Sequence, residues 1–80
     1  MRETYEEIQM LRRARRVLHD PDSIHALSSG QVAAVAFVLN SPEMLKHARM
    51  TLVDALHRFS QSEIDAIRFA ADELYNPSIN

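Results

Sequence analysis

Three times along this chain a hydroxyl residue is followed, three positions later, by glutamate or glutamine: Thr4 and Glu7, Ser28 and Gln31, Ser60 and Glu63. Each pair has the form of a capping box. The first side chain accepts from the backbone N–H three residues on, and the second reaches back to the cap's own N–H. Three helix starts in so short a chain leave little room for anything but helices. The stop signals agree. Asp20-Pro21-Asp22 ends the first helix, because the residue before a proline disfavours helical backbone. Asn40 suits a left-handed stop, and Ser41-Pro42 offers an N-cap with proline at the first helical position. These signals predict helices over Tyr5–His19, from Ser28 to about Leu39, from Pro42 to about Arg58, and from Ser60 to about Tyr75, with a stop at Asn76-Pro77.

Apolar spacing supports all four. Met10, Leu11, Ala14, Val17 and Leu18 form one arc of the first helix, and Leu45, Ala48, Leu52, Leu56 and Phe59 step along the third by three and four. Ile64, Ile67, Ala71 and Leu74 do so in the fourth. This is the helical period, and no segment alternates as a strand does.

The chain also resembles itself. Met10 to Leu18 and Met44 to Leu52 share Met, Leu, Ala, Arg and Leu in register. Further on, Asp22, His25, Ser28, Ala34 and Phe37 recur as Asp54, His57, Ser60, Ala66 and Phe69. The expectation is an all-α fold: a compact four-helix arrangement built from two tandem helix–turn–helix hairpins by internal duplication. Residues 1–80 then form a single helical domain, with approximate repeat halves 4–40 and 42–76 and a frayed tail 77–80. The period approximates that of tetratricopeptide repeats, but the Trp, Gly and Tyr positions of that repeat are absent.

Composition narrows function by exclusion. With no cysteine, disulfides and thiolate metal sites are ruled out. A net charge of −2 does not suit a strongly basic nucleic-acid binder. The longest apolar run, Val32 to Leu39, is far short of the about 20 residues a membrane span needs. The first residues lack an apolar signal core, so a cytoplasmic location is expected. No cysteine nucleophile, glycine-rich phosphate loop or serine in a strained turn is present, and Ser28, Ser41 and Ser60 read as helix caps. No cofactor and no enzymatic role are expected.

The places where the two halves differ suggest where binding occurs. The second helix is apolar on every side, whereas its counterpart puts Asp65 where Ala33 stands and Arg68 at Ala36. A helix apolar all round is covered all round. Either a second protein chain meets the Ala33, Ala36 and Phe37 face, most simply in a homodimer, or the helix is central. The first helix carries Arg12, Arg13, Arg15 and Arg16, with Arg12, Arg13 and Arg16 expected towards solvent; Lys46 is the counterpart of Arg12. Such a cluster binds an anion or acidic partner, or else pairs with carboxylates such as Glu63, Asp65, Asp72 and Glu73. Asp22 with His25 and Asp54 with His57 sit one helical turn apart and could offer metal ligands; a helix-dipole role for each histidine, with the aspartate as local partner, explains them more simply. The functional expectation is a non-enzymatic protein–protein interaction module, a small homodimeric regulator, adaptor or inhibitor. The alternative is a nucleic-acid-associated regulator acting through the arginine face.

Overall fold

The structure, a computed structural model, describes residues 4–75. The described residues are all-helical: α1 (Tyr5–His19), a 3₁₀-helix (Pro21–Ala26), α2 (Ser29–Val38), α3 (Pro42–His47), α4 (Leu52–Arg58) and α5 (Gln61–Tyr75). The stop expected at Asn76-Pro77 and the tail beyond it lie outside the described residues.

All three expected capping boxes form. Thr4 Oγ1 accepts from Glu7 N at 3.1 Å, Ser28 Oγ from Gln31 N at 3.2 Å, and Ser60 Oγ from Glu63 N at 3.2 Å, each with the reciprocal bond from the cap's N–H to the Glu or Gln side chain. Ser41 is the N-cap of α3 with proline following, but its side chain makes no capping hydrogen bond. The expected stop after α2 is also found. Asn40 has φ 53°, Asn40 N donates to Phe37 O, and Ser41 N donates to Ala36 O, the double closure of a Schellman motif.

The helix expected from Pro42 to Arg58 is two helices. α3 ends at His47, and Arg49 takes φ 59°, with Arg49 N donating to Lys46 O and Met50 N to Leu45 O. This is a second Schellman closure, carried by arginine instead of glycine. A fourth capping box then starts α4: Thr51 Oγ1 accepts from Asp54 N at 3.1 Å and Asp54 Oδ2 accepts from Thr51 N at 3.4 Å. The described residues thus hold five α-helices and one 3₁₀-helix rather than four helices.

α2 is the centre of the fold. Successive residues of a helix turn by about 100°, so Ala34, Val35 and Val38 point one way and Val32, Ala33 and Ala36 the other. The first set packs with Met10, Ala14 and Val17 of α1 and Ala66, Ile67 and Ala70 of α5. The second set packs with Leu45 of α3, Ala48 at its end and Ala55 of α4. Alanine predominates where helices meet, and its small side chain lets the axes approach closely. Tyr75 Oη donates to Leu39 O at 3.5 Å, which ties the end of α5 to the end of α2.

This arrangement explains why α2 is apolar on all sides. Ala33 is 0% and Ala36 2% exposed, and both are covered from within the same chain. The face expected to meet a second chain is therefore interior, and Phe37 beside it is half-buried against Phe59.

A candidate interaction surface around helix 4

The break at Arg49 changes which side of α4 faces the core. The step-of-three-and-four pattern treats Leu45, Ala48, Leu52, Leu56 and Phe59 as one stripe. The left-handed residue re-aims the chain, so α4 buries only Ala55 along its length. Leu52, Val53 and Leu56 are left 59%, 62% and 52% exposed. At their spacing these three fall within about 100° of helix circumference, so they form one aliphatic ridge. The two leucines were expected in the core, and the structure places them outside it.

Depressions lie on both sides of the ridge. One, about 240 Å³, is mostly apolar and is lined by Ala36, Phe37, Pro42, Leu45 and Leu52 among others. The other, about 530 Å³ and open to solvent, is lined by Arg49, Met50, Val53, Asp54, His57 and Arg58. Among the described residues, the Arg58 guanidinium hydrogen-bonds to the Met50 sulfur, at 3.9 Å. The Asp54 carboxylate accepts the Thr51 backbone N–H. The second depression is thus edged by two arginines and a histidine against one carboxylate, Asp54, which also serves the α4 cap.

The arginines of α1 are distributed differently from expectation. Met10, Ala14 and Val17 set the centre of the buried arc. Arg13 falls at the edge of that arc and is half-buried, whereas Arg12, Arg15 and Arg16 are exposed. Leu18, expected in the core, is 52% exposed for the same reason. The carboxylates named as internal partners are occupied in part: Asp65 accepts from Gln61 at 3.1 Å, and Glu63 serves the capping box of Ser60. Lys46 is exposed on α3, which covers the opposite side of α2 from α1, so the structure does not gather Lys46 with Arg12, Arg13 and Arg16.

The Asp/His pairs do not converge. Asp54 is part of the α4 cap, and the His25 ring meets that of His47 at 5.4 Å with planes at 68°. Among the described residues no group of three or more His, Asp or Glu side chains could hold a metal ion, so Asp22, His25, Asp54 and His57 do not come together as a ligand set. Likewise, no described helix is long and apolar enough to cross a membrane.

The ridge was missed in the sequence because two signals were weak: an arginine in place of glycine at the stop, and Asp54 in place of glutamate in the box. Thr51-x-x-Asp54 is the signal that could have revealed it. No protein family model, curated protein or solved structure matches this chain.

Proposed function

We propose that this protein is a non-enzymatic helical interaction module that binds another protein through α4, acting as a small regulator, adaptor or inhibitor. One observation carries the reading: Leu52, Val53 and Leu56 stand more than half exposed on one ridge beside an apolar depression. Scattered single apolar residues on a surface need no explanation, but a contiguous set beside a cavity is the usual form of a docking site. The hydroxyl groups at 4, 28, 51 and 60 are taken up in capping, which favours a binding role over chemistry. A photo-crosslinking residue at Val53 tests the proposal. A discrete cross-linked partner that disappears in Leu52→Ser/Leu56→Ser supports it. The absence of any cross-link that depends on these leucines rejects it.

We infer further that the chain consists of two diverged copies of one unit. The starts of the 3₁₀-helix and α2 recur, to within a residue, as the starts of α4 and α5 at a spacing of 32 residues, with α5 running about five residues further than α2. In the first copy Ile24 packs against both core clusters; at the matching position of the second, Leu56 is more than half exposed. A homodimer remains an alternative occupant of the same ridge, now that the α2 face is interior, and sedimentation across a concentration series distinguishes it.

The second reading, a nucleic-acid-associated regulator, is favoured by the exposed stripe Arg12, Arg15 and Arg16 on α1. Phosphate binding weakens steeply as salt rises. A gel shift that is salt-dependent and abolished by changing these three arginines to Glu supports it; binding indifferent to those changes rejects it.

A further inference from the structure

We propose that the occupant of the α4 ridge is an acidic amphipathic helix of another protein, whose apolar residues sit on Leu52, Val53 and Leu56 and whose carboxylates meet Arg49 and Arg58. This rests on the reading of the protein as an interaction module and adds the chemistry of its partner.

Three observations define that chemistry. First, the site has two unlike sides. An apolar side chain fits the depression between Phe37, Pro42, Leu45 and Leu52, and an anionic group fits the cleft edged by Arg49, His57 and Arg58. A helix meets both demands at once, because its apolar stripe and its charged flank lie a short rotation apart. Second, the cations are accessible and outnumber the anions. Arg49 and Arg58 are both exposed, the hydrogen bond that Arg58 makes among the described residues goes to a thioether, and Asp54 is the one carboxylate lining the same cleft. A carboxylate arriving there gains charge-assisted hydrogen bonds. Third, the ridge is small. Three half-exposed aliphatic side chains supply a few hundred Å², less than the roughly 800 Å² per partner of a stable interface of any kind, so the ridge suits a single docked helix held weakly.

A second copy of this chain fits less well. In a two-fold contact with the α4 helices antiparallel, Arg49 and Arg58 of both copies share one rim; with them parallel, each arginine rim faces the apolar depression of the other copy. Like charges across the antiparallel interface select against that pairing.

The test uses the 80-residue chain as bait against a displayed library of amphipathic helices. The apolar stripe varies among Leu, Ile, Met and Phe, and the flanks vary freely among Glu, Lys, Gln and Ser. Enriched helices are synthesised and titrated by fluorescence anisotropy, and circular dichroism checks that each bait variant is folded. The expected result is enrichment of glutamate on the flank. Affinity should fall about tenfold or more in Leu52→Ser/Leu56→Ser. It should fall by a similar factor in Arg49→Glu/Arg58→Glu, which should instead prefer lysine-flanked helices. Where the double inversion fails to fold, Arg58→Glu alone carries the charge test. Helices that bind through Leu52 and Leu56 with no preference for glutamate overturn the acidic partner and leave the interaction module standing. The absence of any helix dependent on those leucines overturns the helical occupant, and the interaction module falls only if the Val53 cross-link is absent as well. A self-association lost in Leu52→Ser/Leu56→Ser makes the occupant a second copy and overturns the proposal.

Discussion

Phe37 of α2 and Phe59, the residue that closes α4, meet edge to face with ring centroids 5.4 Å apart and planes at 88°. Both rings are half-buried, and Phe37 also lines the apolar depression beside the ridge. The pair joins the end of α4 to the central helix, beside the packing of Ala55 on Ala33 and Ala36. Edge-to-face aromatic pairs contribute about 0.5–1.5 kcal/mol beyond the area they bury. A double-mutant cycle with Phe37→Leu and Phe59→Leu, followed by urea unfolding, should give a coupling energy in that range. Additive effects would mean that the rings act as independent hydrophobes.

Arg49 sits at φ 59°, where a residue with a Cβ is strained and glycine is not. Arg49→Gly should therefore stabilise the fold by roughly 0.5–1 kcal/mol after allowing for the looser unfolded chain. In a domain of this size that raises Tm by about 4 °C. An unchanged or lower Tm would show that the arginine side chain contributes to folding enough to offset its backbone cost.

Ser23 Oγ is buried with no hydrogen-bond partner among the described residues. A buried hydroxyl that finds no partner costs about 1–3 kcal/mol. Ser23→Ala removes the group with little change in volume, and the expectation is a gain of about 1 kcal/mol in thermal or urea unfolding. A loss of stability would show that the hydroxyl is satisfied in solution.

Ala33 and Leu52 make an informative contrast, since the smaller residue is the buried one. Ala33→Leu forces a larger side chain between α2 and the α3–α4 layer and should cost about 1–3 kcal/mol or more. Leu52→Ser changes an exposed position and should stay within about 0.5 kcal/mol of the parent. The opposite ranking in calorimetry would contradict the placement of both helices.

Much of this was readable from residue types alone. Thr4, Ser28 and Ser60 announce their helices because a hydroxyl and a long carboxyl or amide side chain at that spacing have one efficient use. Pro21 and Asn40 mark stops through backbone geometry that other residues seldom satisfy. The boundary between α3 and α4 was marked only by the weaker Thr51-x-x-Asp54 box, because Arg49 enters left-handed backbone only where the surrounding packing imposes it. That one residue decides whether Leu52 and Leu56 face inward or outward, so the candidate surface was hidden with it. The apolar second helix posed a different difficulty. Its composition required cover on every side, and only the three-dimensional arrangement shows that α1, α3, α4 and α5 supply it.

The shallow seating of α4 has a consequence for the protein's lifetime. Ala55 is the one fully buried side chain along this helix, so little hydrophobic area resists its detachment. Segments with few buried contacts open first, and a partner that binds only the closed form holds them shut by mass action. We predict that α4 amides exchange with deuterium earliest among the core helices and that a bound helix slows them. Exchange at α4 as slow as at α2 would exclude this. If the prediction holds, unoccupied copies are the ones exposed to proteases, and abundance follows occupancy.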